Sequence, residues 1–425
     1  MQVQSAAEAV SVIGNDEVIW CQSMAATPYV LLDALAEVAL MRRNLTLLQL
    51  HTEKSGSLCR PELQGHLRQR AFFVGAATRS AVRDGLADYV PIFLSEIPKL
   101  FRSGDQPVDA VLVQVSPPDA HGYCSLGISV EATRAALQVA KKVIAWVNPN
   151  MPRTHGDSFI HVDRFTRYFE HAAPLPLHTP AEQDEVTMQI GRHVASLIGD
   201  GDCLQMGIGA IPDATLACLG DRRDLGIHTE MFSDGVLPLV KSGVINNSRK
   251  RKHRGRIVTT FAMGSQALYD FIDDNPEVAF LDVEYTNDTS VIRQNKQVMA
   301  INSALQVDLS GQVCADSLGT SIYSGVGGQM DFVRGASLSE GGRSVIALPA
   351  TACGGKVSRI SSVLSPGAGV VTTRAHVHYI VTEYGVANLR AKSLSERAAE
   401  LMRVAAPQFQ EELAREARDI WGLRI

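Results

Sequence analysis

The sequence predicts an α/β protein of two domains, each with a mainly parallel β-sheet. Strand-like and helix-like segments alternate along the chain, which is the order that produces parallel sheets. Residues 110–115 are almost wholly apolar, as expected of a strand that is covered on both faces. The alternation restarts after the proline-rich stretch 174–180, and 425 residues exceed one ordinary core. We therefore expect an interdomain linker at 174–180 and domains at 1–178 and 179–425.

The first half alternates strands and helices in a regular order. Val18-Ile19-Trp20 is β-prone, and Pro28 opens a segment with apolar residues at helical spacing. The predicted strands are 17–21, 45–50, 71–75, 110–115, 143–147 and 159–162. The predicted helices are 28–42, 78–85, 96–102 and 131–140, and a short helix is possible at 6–13.

The second half repeats this order. Asp213 suits the first turn of a helix, where negative charge interacts favourably with the helix dipole. The predicted strands are 203–206, 225–228, 257–261, 278–281, 298–301, 305–309, 344–348, 369–372 and 379–382. The predicted helices are 184–198, 213–219, 238–242, 396–405 and 407–418.

Composition argues against several classes of partner. Hydrophobic residues make up 45% of the chain and charged residues 20%, and the net charge is −5. This balance fits a folded protein with no basic excess for a nucleic acid or an anionic membrane. No apolar run reaches the roughly 18–20 residues that cross a bilayer, and the N-terminus does not resemble a secretory signal. Six Lys or Arg residues in 249–256 could contact nucleic acid, but a solvated loop is the simpler interpretation.

The seven cysteines are scattered and form no CxxC pair. We expect reduced, mostly buried thiols in a cytoplasmic protein, and no motif supports a cysteine nucleophile. No His, Cys and acid set has the spacing of a metal site, so no metal is expected.

Three segments carry the candidate chemistry. Glu230 follows a predicted strand end and precedes a Ser-Asp-Gly turn, while residues 207–211 and 324–328 are glycine-rich. Ligands of α/β folds bind at the carboxyl ends of strands. Each segment alone leaves a structural alternative open. Glu230 could be a solvated acid at a strand end, residues 207–211 could form a tight strand-to-helix turn, and residues 324–328 could form a simple turn. Pro212 breaks the full dinucleotide-binding pattern.

A carboxylate and glycine-rich turns together suit thioester chemistry. A glutamate can attack an acyl-CoA and then accept the thiolate on its own carbonyl carbon. Backbone N–H groups of a glycine turn can stabilise the tetrahedral oxyanions of these steps. The hypothesis is therefore that the three segments meet around one thioester, with Glu230 as nucleophile.

Five ordered segments, 113–119, 206–214, 226–231, 324–336 and 381–387, together resemble the acetyl-CoA hydrolase/transferase family. The resemblance extends over nearly the whole chain. It implies two CoA-transferase-type (NagB/RpiA-like) α/β domains, coenzyme A as a substrate rather than a cofactor, and a homodimer. The implied partners are acyl-CoA and short carboxylic acids of the 4-hydroxybutyrate, acetate or butyrate type.

The resemblance also assigns roles to individual residues. It makes Glu230 the catalytic glutamate, Asn287 a residue that positions the acyl group, and Glu383 an acid near the site. The residues expected to contact CoA or the oxyanion are Gly207, Ile208, Gly209, Ala210, Ile211, Ser324, Gly325, Gly327 and Gly328. Lys356 is a candidate contact for the CoA phosphates.

Each of these minor candidates keeps an alternative. Asn287 could merely form a turn, Glu383 could be a buried hydrogen-bonded acid, and Lys356 could be solvated. His228, two residues before Glu230, could tune it or simply pack. Some relatives carry a histidine where this chain has Gln22, so we expect Gln22 to contact the substrate acid without contributing charge.

These expectations predict a CoA-transferase that exchanges CoA between an acyl-CoA and a short acid by a ping-pong mechanism. Two alternatives remain at this point: an acyl-CoA hydrolase, if water reaches the glutamyl adduct, and a non-catalytic acyl-CoA or sugar-phosphate sensor.

Overall fold

The computed structural model describes residues 1–179 and 182–423, which form two compact units. The first unit comprises Met1–Thr179, Val258–Thr286 and Ile322–Gly327. The second comprises the described parts of Pro180–Ile257, Asn287–Ser321 and Gly328–Ile425. The sequence division between residues 178 and 179 stays a prediction, and Pro180, at the end of the expected linker, lies outside the described residues.

Fourteen α-helices occur in the described part of the chain. They are α1 (Ala6–Val10), α2 (Tyr29–Ala39), α3 (Arg79–Arg83), α4 (Ile97–Ser103), α5 (Thr133–Val139), α6 (Glu185–Ala195), α7 (Ala210–Ala217), α8 (Leu237–Lys241), α9 (Gln266–Ile272), α10 (Val283–Thr286), α11 (Thr289–Ile292), α12 (Gln329–Leu338), α13 (Leu394–Val404) and α14 (Pro407–Trp421).

The strands within the same described ranges are β1 (Val18–Cys21), β2 (Leu45–Gln49), β3 (Leu67–Ala71), β4 (Ala87–Tyr89), β5 (Ala110–Val115), β6 (Tyr123–Ser125), β7 (Lys142–Val147), β8 (His155–Gly156), β9 (Phe159–His161), β10 (Arg167–Glu170), β11 (Cys203–Met206), β12 (Gly226–Ile227), β13 (Met231–Phe232), β14 (Ile257–Thr259), β15 (Phe261–Ala262), β16 (Val278–Phe280), β17 (Val298–Ser303), β18 (Gln306–Asp308), β19 (Val313–Cys314), β20 (Ser317–Leu318), β21 (Ser321–Ile322), β22 (Arg343–Ala347), β23 (Thr351–Ala352), β24 (Val357–Ser358), β25 (Ile360–Ser361), β26 (Tyr379–Thr382) and β27 (Gly385–Asn388).

The first unit is organised around a seven-stranded sheet in the order β10-β7-β5-β1-β2-β3-β4. All its neighbouring strands run parallel, with Trp20 of β1 opposite Leu48 of β2 and Val111 of β5. Every residue of the interior strand β5 is buried, which explains its almost wholly apolar sequence. The parallel α/β prediction is confirmed for this unit.

The second unit has a six-stranded sheet in the order β12-β11-β17-β22-β26-β27. Its first five strands are parallel, and β26 and β27 form an antiparallel hairpin. A core that includes Val333, Ile346 and Leu401 joins α12, the sheet and α13. A capping box between Ser393 and Glu396 sets the start of α13.

Two strand predictions are wrong. In place of the strand expected at 71–75, the structure has β3 at Leu67–Ala71. This strand alternates buried and exposed side chains, and its two exposed arginines interrupt the apolar pattern that would have indicated it. No strand spans 369–372; Thr372 forms only an isolated bridge with Val313. The helix expected at 213–219 begins three residues earlier, at Ala210, because proline is tolerated in a first turn.

Helix α12 was missed altogether. Its sequence mixes glycine, serine and charged residues with apolar ones, so the apolar stripe is weak, although Met330, Phe332 and Val333 are buried. Within the described ranges, none of the helices is both long and apolar enough to cross a bilayer.

Candidate active site

The candidate site lies at the carboxyl ends of two neighbouring parallel strands in the second unit. Strand β11 ends at Met206, and β12 ends at Ile227. The hydroxyl of Thr229 donates to the carbonyl of Met206 at 3.1 Å and accepts from its N–H at 3.4 Å. These bonds fix the residue before Glu230 to the residue before Gly207. Glu230 and the Gly207 loop therefore leave the sheet side by side, at the edge where α/β folds bind ligands.

The carboxylate of Glu230 contacts two of the predicted residues. Its Oε2 accepts a hydrogen bond from Nδ2 of Asn287 at 2.8 Å. The backbone N–H of Gly328 also donates to this carboxylate. A Cβ at Gly328 would lie 1.8 Å from Oε2 of Glu230 and 2.3 Å from Nδ2 of Asn287. Only glycine therefore allows this close approach of backbone to carboxylate.

Asp331 is a further member of this cluster. It is buried in the first turn of α12, and its Oδ2 lies 3.2 Å from Nδ2 of Asn287. The carboxamide of Asn287 thus links two carboxylates. Sequence reasoning did not single out Asp331; an acid three residues after Gly328, at the start of an unrecognised helix, was the available signal.

The electrostatics of Glu230 are unusual for a glutamate. Its pKa is raised to about 7: burial is the main cause and the nearby charge of Asp331 adds to it, while the hydrogen bonds from Asn287 and Gly328 lower the pKa. Half of the carboxyl groups are therefore ionised near neutral pH. A carboxylate with a raised pKa is a stronger nucleophile than a solvated one, because its charge is less stabilised.

The loop 207–211 leads into helix α7. Gly209 has φ of +112° and precedes the first helical residue, Ala210, with no side-chain cap. A Cβ at Gly207 or Gly209 would meet nothing within 4 Å, and 45% of Ile208 is exposed. The loop backbone is thus accessible beside a helix N-terminus, which favours an anionic or polar ligand.

Residues 324–327 of the glycine turn belong to the first unit. In the first unit, the carbonyl of Ser324 accepts from Val74 N–H at 3.1 Å, and the carbonyl of Gly327 accepts from Leu94 N–H at 3.0 Å. Gly327 has φ of +57°, which favours glycine. These two carbonyl bonds fix the turn up to Gly327. The next residue, Gly328, belongs to the second unit and contacts Glu230.

Glu383 and Lys356 are placed elsewhere in the second unit. Glu383 follows β26, and its Oε2 accepts from Ala350 N–H at 2.8 Å, so this half-buried acid joins the ends of β22 and β26. Four strand spacings, about 19 Å, separate β26 from β12. Lys356 is exposed and directly precedes β24 in the β23–β24 hairpin. The described contacts therefore do not bring either residue to Glu230.

Gln22 is fully buried in the first unit. Its Nε2 donates to the carbonyls of Leu126 and Ser129, both at 2.8 Å. Its Oε1 accepts from Gln114 N–H at 2.7 Å. Both N–H donors are already used, so a bond to a substrate acid would require an existing bond to break. The geometry makes Gln22 a brace between backbone segments, and we assign it no substrate contact.

Two other predictions concern the surroundings of β12. His228 is buried, with its ring 6.2 Å from the ring of Phe332, so it lies in a packed environment. Lys250 of the basic run is also buried, and its Nζ donates at 2.6 Å to the carbonyls of Ile227 and Arg256. Most of residues 249–256 are exposed and form a loop between helix and strand, as predicted, and Lys250 is the exception that attaches this loop to the end of β12.

Comparison with known proteins gives a consistent result. The family model described as the acetyl-CoA hydrolase/transferase N-terminal domain matches residues 1–178, and that of the C-terminal domain matches residues 264–417. The 4-hydroxybutyrate coenzyme A transferase of Clostridium kluyveri is 48% identical over 97% of the chain and 96% of its own length. A succinyl-CoA:acetate/propanoyl-CoA:succinate CoA transferase of Fasciola hepatica is 46% identical over 93% of the chain and 83% of its own length.

A solved structure extends this similarity to the fold. RipA from Yersinia pestis superposes with a TM-score of 0.93 at 37% identity, covering 99% of the chain and 97% of RipA. The mixed α/β architecture with mostly parallel sheets is therefore the architecture of these relatives.

Proposed function

Because the chain belongs to the acetyl-CoA hydrolase/transferase family, we propose that it is a CoA-transferase acting through a thioester on Glu230. In this proposal CoA moves from a short-chain acyl-CoA to a short carboxylic acid in two half-reactions. The observation that carries the proposal is the setting of Glu230: a half-buried carboxylate of raised pKa, held by a carboxamide and a backbone N–H.

The first half-reaction follows from this geometry. Oε2 of Glu230 accepts a hydrogen bond from Nδ2 of Asn287, and in this proposal Oε1 is the attacking atom. Its attack on the acyl carbonyl carbon breaks the carbon–sulfur bond and gives a mixed anhydride and the CoA thiolate. The thiolate then attacks the glutamyl carbon, the anhydride carbon–oxygen bond breaks, and the original acid leaves as a carboxylate. A second acid takes CoA by the same steps in reverse.

Two donors are placed to stabilise the second of these steps. When the thiolate attacks the glutamyl carbon, negative charge develops on Oε2. Asn287 Nδ2 already donates to this oxygen, and Gly328 N–H already donates to the same carboxylate, so no rearrangement is needed as the charge grows. One such donor typically contributes about 10²–10³-fold to the rate.

The substrate and partner assignments belong to the same proposal. The 4-hydroxybutyrate and succinate transferases among the relatives support short linear acids, with 4-hydroxybutyrate, acetate and butyrate as candidates. We propose coenzyme A as a substrate with no separate cofactor, with the Gly207 loop and the glycine turn as its contacts. A homodimer is also proposed, and the seven free cysteines support a cytoplasmic location.

Product analysis tests the proposal directly. The protein is incubated with butyryl-CoA with and without acetate, and CoA species are separated by chromatography. A transferase forms acetyl-CoA only when acetate is present and releases little free CoA. Acid-independent release of free CoA would instead identify a hydrolase, and binding without turnover would identify a sensor. A panel of linear and hydroxy acids then defines the acceptor.

A further inference from the structure

Two carboxylates share one carboxamide in the second unit. The Nδ2 of Asn287 lies 2.8 Å from Oε2 of Glu230 and 3.2 Å from Oδ2 of Asp331. An amide nitrogen carries two N–H donors, so one bond can go to each acid. Asn287 and Asp331 are both buried, which keeps water from screening the interaction between the two acids.

This arrangement fixes the orientation of the Asn287 side chain. The opposite orientation would place the amide oxygen against two carboxylate oxygens, and like partial charges repel. In the observed orientation, Oδ1 of Asn287 is buried and no donor among the described residues reaches it. Glu230 alone would favour the observed orientation with one bond. Asp331 adds the second bond, so the N–H that reaches Glu230 is held in place.

The charges of the pair change during the proposed reaction. Formation of the glutamyl-CoA thioester replaces the Glu230 carboxylate with a neutral group, and the negative charge leaves with the released acid. Repulsion between Asp331 and Glu230 therefore raises the free energy of the resting enzyme but not that of the thioester. Two like charges this close in a buried site perturb each other strongly.

Resting on the proposed function, we propose that Asp331 is a positioning residue that orients Asn287 and shifts the equilibrium from the free Glu230 carboxylate towards the glutamyl-CoA thioester. Asp331 touches neither substrate nor the reacting atoms in this proposal. It acts through the amide that it holds and through its charge. The charge of Asp331 raises the pKa of Glu230, which agrees with this direction.

Other charges on the elements packed around α12 are engaged elsewhere. Asp288 accepts from the N–H and hydroxyl of Ser290. Arg343 of β22 pairs with Asp202. On α12 itself, the charge of Arg334 acts on His376, and Arg293 after α11 is exposed.

The Asp331→Asn variant tests the proposal, with Glu340→Gln as the matched control. Glu340 lies just beyond the other end of α12 and is exposed, so its substitution removes a carboxylate without touching the site. Each full-length protein is mixed with acetyl-CoA and acetate at fixed ratios, and intact mass spectrometry gives the ratio of thioester to free enzyme. Circular dichroism confirms folding, and kcat/KM is measured from pH 5 to 9.

We expect D331N to lower the thioester-to-free ratio about fivefold or more and to move the acidic limb of kcat/KM down by about one pH unit. Asp331→Glu keeps the charge, so its acidic limb should stay near that of the wild type even if kcat falls. A purely structural role would lower kcat in both variants without moving the limb or the ratio. An unchanged ratio and limb in D331N would therefore overturn the inference.

The outcomes also separate this inference from the proposed function. Absence of any thioester on the wild-type protein would refute the Glu230 mechanism itself, whereas a normal thioester in D331N refutes only the role of Asp331. If D331N does not fold, Asp331→Ser removes the same charge with a smaller side chain and is judged by the same two readouts.

Discussion

Two glutamates, one in each unit, both have a raised pKa but lie in different surroundings. Burial raises the pKa of Glu131 in the first unit to about 7, as it does for Glu230 in the second. Glu131 is wholly enclosed and accepts from the N–H and hydroxyl of Thr133, both at 2.7 Å, and from Ser23 N–H at 3.2 Å. Glu230 is half-buried, with a carboxamide, one glycine N–H and another carboxylate around it.

The comparison teaches that a perturbed pKa alone does not identify a nucleophile. The carboxylate of Glu131 receives short-range donors from its own neighbours, which is the arrangement of an acid that holds a turn together. The environment of Glu230 instead leaves its charge poorly compensated, because Asp331 opposes what Asn287 and Gly328 provide. A negative charge that is poorly stabilised, at the carboxyl end of a strand where a ligand can bind, is what a reactive carboxylate requires.

The largest expected effect comes from replacing each of the two glutamates, one at a time, with glutamine. Glu230→Gln should reduce CoA exchange at least about 10³-fold, because an amide cannot form the anhydride. Glu131→Gln should leave exchange within a few-fold of the wild type. Initial rates of acetyl-CoA formation from butyryl-CoA and acetate measure both. Equal losses in the two variants would remove the distinction between them.

A smaller but still large effect is expected from Gly328→Ala. The added methyl group would lie 1.8 Å from Oε2 of Glu230, so the carboxylate or the backbone must move. We expect a loss of about 10²-fold in kcat, consistent with displacement of one oxyanion donor. Gly220→Ala is the control, since its Cβ would meet nothing within 4 Å and no positive φ applies. Steady-state kinetics compare the two, and wild-type kcat in G328A would contradict the assigned contact.

Asn287→Asp sharpens the comparison by adding charge around Glu230. A third carboxylate in the cluster should raise the pKa of Glu230 above its value of about 7. The acidic limb of kcat/KM should then move to higher pH by about one unit, and kcat should fall about 10²-fold through loss of a donor. A pH–rate profile from pH 5 to 9 measures this shift. Movement of the limb towards lower pH would show that another group controls it.

The smallest effect concerns stability rather than activity. Glu131 has a pKa of about 7 when folded, above the ordinary value of 4.5. Its protonated form therefore favours the folded state, and this stability is present below pH 4.5 and lost as pH rises through 7. Glu131→Gln stays neutral, so its unfolding free energy should fall less between pH 5 and 8, by up to about 3 kcal/mol. Urea unfolding at the two pH values tests this, and identical pH dependence would contradict the shift.

Much of the architecture could be predicted from the sequence, because buried parallel strands such as β5 are unbroken apolar runs. Strand β3 was misplaced because its buried residues alternate with exposed arginines, and this alternation is a weaker signal than an unbroken apolar run. Helix α12 was missed because glycine, serine and charged residues weaken its apolar stripe, and the residue that precedes it, Gly328, lies against Glu230 instead of supplying a side-chain cap. Helix propensity predicts structure poorly at positions where the functional site, rather than the helix, determines which residue is present.

The candidate site was predicted unevenly for a related reason. Glu230, Asn287 and Gly328 were identified through the family resemblance, and they are in contact. Asp331 was not, because its relation to Asn287 depends on tertiary packing across 44 residues of sequence. The burial of Gln22 could not be predicted either, because the sequence pattern of a glutamine at a strand end is the same whether its carboxamide bonds a ligand or the backbone.

The most direct test of the account is the covalent state of Glu230 during turnover. The wild-type protein is incubated with acetyl-CoA, treated with borohydride and digested, and the peptide that contains residue 230 is examined by mass spectrometry. The account predicts reduction of a thioester to an alcohol at Glu230, with no such change in Glu230→Gln. An unmodified Glu230 in an enzyme that is exchanging CoA would contradict it.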